Sequence, residues 1–332
     1  RSYAECSTEG GPSAPPVVLR PHVKTTNISN IFVDMRHAWT EELNIAPSGA
    51  VDEFRRKKAR NDYPVMALWE MGLRGLRVPL QDLMDTATRR RMEIMFGVGH
   101  KFHIYRYGIP TKIEIETIKK YFSIIEELEL VLGWETIDEQ VSEIQFLKDE
   151  TRLPIVLSRV NRNDASKTSG GKYNHLISHG FTIAEIPEIS SFIRKNPLLL
   201  DGVQFTIPRS VNPWNAGREL QLFKNDTNCK PTLYVKSTEA SPAQRFDDEI
   251  TNAIRFSEAV LSGIGFDIDI ILDTFDDADR GYFTRTGLID RRFNPRIAGQ
   301  LISELIRQLD EGTWKAVDSE SPKVVYDKGN IM

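Results

Sequence analysis

The sequence repeats one pattern eight times: a short apolar or β-branched run, a polar loop, and then a stretch with helical periodicity. The runs predicted as strands are Asn30–Met35, Leu73–Pro79, Lys101–Tyr107, Leu128–Leu132, Pro154–Val160, Gly202–Ile207, Thr232–Val235 and Phe266–Leu272. The stretches predicted as helices include Val51–Trp69, Asp85–Val98, Glu114–Glu127, Asp138–Asp149, Ile183–Lys195, Phe246–Leu261 and Pro295–Glu311. Parallel strands require helical crossovers, so this alternation predicts an α/β fold, specifically a (β/α)8 TIM barrel.

A doubly wound open sheet is the alternative fold, but no glycine-rich fingerprint follows the first predicted strand. Two connections of the predicted barrel are long and polar, namely Asn161–Gly180 after the fifth strand and Pro208–Thr227 after the sixth. Long loops of this kind often carry function. We therefore expect both connections to overhang the mouth of the barrel as lids or walls.

Composition sets the domain plan and excludes several kinds of partner. Of the 332 residues, 40% are hydrophobic and 27% charged, and the net charge is −4, so no overall field favours nucleic acid or a membrane. Residues 1–29 are rich in Pro, Gly, Ser and Thr and predict an extended arm or linker, residues 30–315 the barrel, and residues 316–332 a tail. The chain begins with Arg1, so we expect a partner domain within the same polypeptide.

The cysteines and histidines give no sign of a metal or cofactor. Cys6 and Cys229 are far apart and lack the spacing of a metal site. His37 has no second histidine at ligand spacing, and the acidic Asp276–Asp279 cluster lacks the glycine and terminal glutamate of a calcium loop. We therefore predict no metal and no cofactor, and the sequence assigns no cellular compartment.

Two acidic residues follow predicted strands at the mouth, where the active sites of such barrels lie. Glu135 follows the fourth strand and Glu239 follows the seventh. Two carboxylates over one mouth can divide the work of cleaving a glycosidic bond, one protonating the leaving oxygen and the other attacking the sugar. The alternatives are structural: Glu135 as the start of a helix, and Glu239 as a loop acid held by Lys236 or Arg245.

Arginines are unusually dense at the predicted strand ends. Guanidinium groups bind carboxylate, sulfate or phosphate in forked geometry, so these residues predict an acidic ligand. The alternative is a charge network with nearby acids that stiffens the top of the barrel. The arginines at these positions are Arg36, Arg77, Arg106, Arg159, Arg162 and Arg209.

Several segments resemble the retaining glycoside hydrolases of the clan with catalytic glutamates on strands four and seven. The segments are Met71–Leu80, Gly97–Tyr107, Pro231–Glu239 and Gly287–Ala298, within a pattern that covers most of residues 30–312. The resemblance implies Glu135 as acid/base, Glu239 as nucleophile and Arg77 as an orienting group beside the nucleophile. It implies a carbohydrate substrate and no cofactor.

The sequence departs from that clan at three places. Trp134 stands where the clan usually has Asn, and Lys236 stands where a neutral residue is common. The eighth strand lacks the usual Trp and has Asp273 and Phe275. These departures are compatible with an acidic glycan substrate, with a catalytically silent barrel that serves as a binding or scaffold module, or with an enzyme for phosphorylated or carboxylated small molecules. The predicted substrate-binding residues are Arg36, His37, Arg77, Arg106, Tyr107, Trp134, Arg159, Asn161, Arg209, Trp214, Lys236 and Asp273.

Overall fold

Eight parallel strands close into a barrel in the computed structural model, which describes residues 28–35, 39–40, 61–161, 178–237, 248–276, 286–310, 312–317 and 321–326. The strands are β1 Ile31–Asp34, β2 Gly75–Pro79, β3 Lys101–Tyr107, β4 Ile125–Leu132, β5 Ile155–Asn161, β6 Gly202–Ile207, β7 Lys230–Val235 and β8 Asp269–Leu272. The barrel closes where β8 pairs with β1, with Ile270 opposite Ile31. The predicted (β/α)8 barrel and its eight strands are confirmed.

Helices surround the barrel and begin at local sequence signals. They are α1 Tyr63–Glu70, α2 Leu80–Met84, α3 Thr86–Gly97, α4 Lys112–Lys120, α5 Val141–Thr151, α6 Ile186–Lys195, α7 Pro213–Thr227, α8 Glu249–Phe266 and α9 Ile297–Leu309. Thr111 and Glu114 form a capping box at the start of α4, and the Asp248 side chain accepts hydrogen bonds from the first turn of α8. None of the described helices is long and apolar enough to cross a membrane.

The structure corrects several of the predicted elements. Among the described residues, the helix expected over Val51–Trp69 begins only at Tyr63. The helix expected over Glu114–Glu127 ends at Lys120, and β4 already begins at Ile125. The connection after β6, expected to be an overhanging loop, consists mostly of α7, which Asn212 caps. Its buried residues recur at helical spacing and pack against the barrel. The expected connection after β5 does return to the mouth, where Ser178–His179 pair antiparallel with the end of β5.

Side chains on each strand alternate between the layer under the helices and the lumen of the barrel. On β4, Leu128, Leu130 and Leu132 belong to the main hydrophobic core. Glu127 and Glu129 alternate with them and are 6% and 0% exposed. Apolar branched residues usually fill the lumen of such barrels. In this protein a large share of the lumen is charged, and Phe32, Tyr234 and Ile271 form a small separate apolar cluster.

A two-stranded hairpin follows the barrel. Trp314–Ala316 pair antiparallel with Val324–Tyr326, within and beside the predicted tail. The hairpin packs close to Gly265 on α8, where an added Cβ would lie 2.9 Å from Val324 and 3.0 Å from Ala316. A glycine at this position therefore allows the hairpin to approach the helix.

Candidate active site

A buried ion pair between β2 and β4 forms the centre of the lumen. Arg77 Nε lies 2.7 Å from Glu129 Oε2, and Arg77 Nη2 lies 3.0 Å from Glu129 Oε1. Arg77 Nη1 is also 3.4 Å from Asp34 Oδ1 on β1. Burial alone would raise the pKa of Glu129, but the charge of Arg77, together with His103 and His179, outweighs burial and holds this pKa well below its usual range. Glu129 is therefore an ionised carboxylate locked into the fold.

His103 on β3 extends the network below Glu129. Its Nε2 lies 2.9 Å from Glu129 Oε2, and its Nδ1 lies 2.5 Å from Glu127 Oε1. Burial lowers the pKa of His103. Glu127 and Glu129 together outweigh burial and raise this pKa from 6.5 to about 9. The imidazole is consequently protonated at neutral pH, and it supplies a second cation to the lumen.

The network continues toward both ends of the barrel. Toward the mouth, the Tyr234 hydroxyl lies 2.5 Å from Asp34 Oδ2 and 3.1 Å from Asp273 Oδ1. Toward the floor, Lys230 Nζ lies 2.7 Å from Asp269 Oδ1. Burial, with a smaller contribution from Glu127, raises the pKa of Asp269 above its ordinary value. The lumen is thus a column of paired charges from floor to mouth.

Of the two predicted catalytic glutamates, Glu135 is described by the structure. It lies in the 3-10 helix Trp134–Gln140 that directly follows β4, and its side chain is 81% exposed. Its Oε1 is 3.9 Å from Arg159 Nη2. Glu239, Arg36, His37 and Arg162 lie outside the described residues. The structure therefore places a solvent-accessible carboxylate at the β4 end of the mouth.

Two predicted ligand-binding side chains lie elsewhere. Trp214 is 0% exposed and packs against Phe266, with ring centroids 4.6 Å apart, so it belongs to the hydrophobic core and offers no face to a sugar. Arg106 alternates with the lumen-facing Tyr105 and pairs with Glu114 of α4, 3.4 Å away. The period of two residues along β3 turns Arg106 away from the lumen.

Three further predicted residues at strand ends are held by the protein itself. Arg77 was expected to bind substrate at the mouth. It is 1% exposed and lies below the mouth surface, where it holds Glu129. The Trp134 indole donates to Glu188 and packs against Phe181, at 5.0 Å between ring centroids. Arg159 pairs with Glu185 in the turn before α6.

The remaining predicted residues lie at or near the mouth. Tyr107, at the end of β3, is 39% exposed, and Asp273, just after β8, is 0% exposed. Asn161 is the last residue of β5, and its side chain lies outside the described residues. Arg209 and Lys236 are partly exposed on the loops after β6 and β7. These two basic residues come from neighbouring strands.

A single arginine on α8 connects the loops that carry Arg209 and Lys236. The Arg255 guanidinium donates to the carbonyl of Lys236 at 3.0 Å and to the carbonyl of Arg209 at 3.1 Å. It also donates to the carbonyls of Pro208 and Val211. Arg255 is 6% exposed, so these charge-assisted bonds form away from solvent. The β6 and β7 ends of the mouth are therefore tied to one helix.

Sequence reasoning missed the lumen network because it examined the strand ends alone. The alternation of Glu127 and Glu129 with leucines was visible, and a period of two in a barrel strand places such acids in the lumen. Gln204 alternates in the same way with Val203 and Phe205 on β6, whereas His179, which meets Gln204 at the mouth, carried no comparable signal. Across the described ranges, no cluster of three or more His, Cys, Asp or Glu side chains is arranged to hold a metal ion.

No family model matches the sequence, and no curated protein resembles it closely enough to count as a match. Solved structures do resemble the fold. A family 39 glycoside hydrolase from the gut symbiont Bacteroides cellulosilyticus WH2 aligns with 87% of this chain and 66% of its own, at 10% identity and a TM-score of 0.54. The present chain therefore spans slightly less than two thirds of that protein.

Two other glycoside hydrolases align with lower scores. An endoglucanase from Pseudomonas stutzeri, solved in complex with cellobiose, covers 83% of this chain and 92% of its own at 10% identity and a TM-score of 0.49. A family 10 endoxylanase from a sugarcane soil metagenome aligns over 73% of this chain and 92% of its own chain, at 11% identity and a TM-score of 0.47. The likeness of fold rests on the family 39 enzyme, whose TM-score exceeds 0.5. The chain therefore shares the (β/α)8 barrel fold with this glycoside hydrolase.

Proposed function

We propose that this protein hydrolyses a glycosidic bond with retention of configuration, with Glu239 as nucleophile and Glu135 as acid/base. The observation that carries the proposal is the placement of the two residues. Glu135 comes three residues after Leu132, the last residue of β4, and Glu239 comes four residues after Val235, the last residue of β7. Both strands are parallel members of one barrel and deliver their ends to one mouth.

In this mechanism the Glu135 carboxyl protonates the leaving oxygen while the Glu239 carboxylate attacks the anomeric carbon. Glu135 then takes a proton from the water that releases the sugar from Glu239. The exposure of Glu135 leaves room beside its carboxyl for the leaving group and then for the attacking water. The paired charges beneath the mouth, centred on Arg77 and Glu129, provide a rigid floor for the two acids.

The acidic character of the substrate is the second part of the proposal. The described arginines at the ends of β2, β3 and β5 pair with protein carboxylates: Arg77 with Glu129, Arg106 with Glu114, and Arg159 with Glu185. On the other side of the mouth, partly exposed basic side chains offer positive charge to an acidic group of the glycan. There Arg209 and Lys236 lie on the two loops that Arg255 holds.

Hydrolysis of a panel of aryl glycosides, neutral and uronic, tests this mechanism. Replacing Glu239 by Gln removes the nucleophile, and we expect kcat to fall by about 10³-fold or more; Glu135→Gln is expected to lower it by about 10²–10⁴-fold. Glu116→Gln on α4, whose side chain is 74% exposed, serves as the matched control and keeps the wild-type rate. A Glu239→Gln variant with the wild-type rate would overturn the mechanism.

A catalytically silent carbohydrate-binding barrel is the second candidate. The specific observation in its favour is the position of Glu135, which is 81% exposed and whose nearest charged partner among the described residues, Arg159, lies 3.9 Å away. A catalytic acid is usually held by closer contacts. Sugar binding by the wild-type protein, without turnover of any glycoside in the panel, would favour this candidate over hydrolysis.

A further inference from the structure

The backbone that carries His179 is fixed to two strands of the barrel. His179 pairs with Val160 of β5, and the next residue, Gly180, donates from its N–H to the carbonyl of Arg159 at 2.9 Å. Gly180 has φ +98°, a conformation that favours glycine, and an added Cβ would lie 3.0 Å from Thr206 Cβ. The segment is thus seated between β5 and β6, which fixes the position of His179.

The His179 ring lies above the central ion pair of the lumen. Its Nδ1 is 3.6 Å from Glu129 Oε1, and both ring nitrogens are 3.4 Å from Arg77 Nη2. The ring stacks on Tyr105 at 6.1 Å between centroids and meets the edge of Tyr107 at 6.3 Å. The His179 side chain is 11% exposed, whereas Arg77 and Glu129 are 1% and 0% exposed. Of these three side chains, that of His179 is the most exposed, so a ligand in the mouth would meet it first. We call this surface the floor of the mouth.

Gln204 on β6 supports His179 and has an unused acceptor. Its Nε2 donates to His179 Nδ1 at 2.9 Å. Its Oε1 has no hydrogen-bond partner among the described residues, although Gln204 is 0% exposed. The hydroxyl of Ser158 on the adjacent β5 is likewise buried without a partner in that part of the chain. A buried acceptor without a donor destabilises a fold by about 1–3 kcal/mol, so a ligand hydroxyl placed beside His179 would supply the donor that Gln204 Oε1 lacks.

The cation beneath the His179 ring already has carboxylate partners. The Arg77 guanidinium faces both Glu129 and Asp34. A charged ligand group would have to compete with one of these pairs, whereas a hydroxyl can donate to Gln204 and accept from His179 without disturbing them. Tyr107, which is 39% exposed beside His179, adds an aromatic edge at the rim. Aromatic and amide or imidazole groups together suit an uncharged polyhydroxylated ring.

We propose that His179, supported by Gln204 and flanked by Tyr107, binds an uncharged sugar unit of the substrate on the β3–β6 side of the mouth. The proposal rests on the glycan-binding function given above. It adds that two parts of the mouth bind chemically different sugar units. The neutral unit lies over His179, and the acidic unit lies near Arg209 and Lys236.

Titration of the full chain, with its histidines labelled with ¹⁵N, tests the site without requiring turnover. The probes are methyl β-glucoside, methyl β-xyloside and methyl β-galactoside, with glucuronate as the charged comparison. We expect at least one neutral glycoside to shift the ring signals of His179. We expect its affinity to fall about tenfold or more in His179→Ala, with a smaller loss in His179→Gln, which retains hydrogen-bonding capacity. Wild-type affinity in His179→Ala would overturn the proposal.

A second variant separates loss of binding from loss of folding. Tyr107→Ala changes a rim residue that is 39% exposed, and we expect affinity to fall about fivefold with an unchanged melting temperature. Phe122→Ala, at a residue 59% exposed in the turn after α4, is the matched control and binds as the wild type does. Failure of every neutral glycoside to shift His179, or a His179-dependent preference for glucuronate, would also overturn the proposal. A fully active Glu239→Gln variant would refute the hydrolytic mechanism alone, because these binding measurements do not involve turnover.

Discussion

Glu129 and Glu135 belong to the same strand and its continuation, six positions apart, yet they lie in opposite environments. Glu129 is 0% exposed and bound by Arg77 through two contacts of 2.7 and 3.0 Å. Glu135 is 81% exposed and 3.9 Å from Arg159. The lumen acid is thus committed to stability, while the rim acid remains accessible for chemistry. The same residue type serves the fold at one depth of the barrel and is available for function at another.

Removing the central cation of the lumen gives the largest expected effect. Arg77→Met leaves Glu129 buried without its bidentate partner, and breaking a buried ion pair in this way costs about 3–5 kcal/mol. Denaturant unfolding at pH 7 measures the change. We expect the free energy of unfolding to fall by that amount, and a loss below about 1 kcal/mol would show that the lumen pair contributes little to stability.

The matched control is an arginine of the rim. Arg159 has a side chain that is 23% exposed and pairs with Glu185. Because solvent screens such a pair, Arg159→Met is expected to lower the free energy of unfolding by about 1 kcal/mol or less. Equal losses from the two variants would remove the distinction between lumen and rim.

The second largest expected effect is a fall in the free energy of unfolding at alkaline pH. The pKa of His103 is raised from 6.5 to about 9 by Glu127 and Glu129 acting against burial. A raised histidine pKa stabilises the fold fully below pH 6.5, and that stabilisation is lost as the pH rises through about 9. The shift corresponds to at most about 3–4 kcal/mol. Unfolding free energies measured between pH 6 and pH 9.5 check the expected decline.

A variant of His103 tests whether this histidine causes the fall in unfolding free energy with rising pH. His103→Gln keeps hydrogen-bonding groups between the two glutamates but does not titrate in this range, so its unfolding free energy should be lower at pH 6 and flatter toward pH 9.5. If the variant declines as steeply as the wild type, another group is responsible. The raised pKa of Asp269 adds a decline of the same sign at lower pH, because the folded state holds that proton longer than the unfolded chain.

The smallest expected effect on stability is at the rim. Glu135→Gln removes the charge of a side chain that is 81% exposed, so the free energy of unfolding should change by less than about 0.5 kcal/mol. Thermal and denaturant unfolding of the variant measure it. A loss above about 1 kcal/mol would mean that Glu135 supports the fold, and it would weaken its assignment as the acid/base.

The barrel could be predicted from sequence because each strand carries a compact apolar run, such as Gly202–Ile207, bounded by polar loops. The end of α4 was misplaced because Ile124 and Ile125 fit both a helix and a strand. α7 was missed because its many polar residues suggested a loop. Its apolar positions Trp214, Leu220 and Phe223 show the helical spacing that would have identified it.

The site was harder to predict than the fold, for a physical reason. Position at a strand end indicates which residues come near the mouth; Tyr107 ends β3, Glu135 follows β4, and both side chains are exposed. It does not indicate which way a side chain turns, as Arg106 shows, nor which long-range partner it finds. The pairing of Arg77 with Glu129 spans 52 positions, and His179 returns to the mouth from a loop, so neither contact has a local signature.

Arg255 has a consequence for protein engineering. Loops of (β/α)8 barrels are natural units for exchange between proteins, because strand and helix scaffolds usually tolerate them independently. Here the loops after β6 and β7 share one donor on α8, through carbonyls that include those of Arg209 and Lys236. A graft of either loop alone would leave part of that guanidinium unsatisfied. The smallest transplantable unit of this mouth is therefore both loops together with α8.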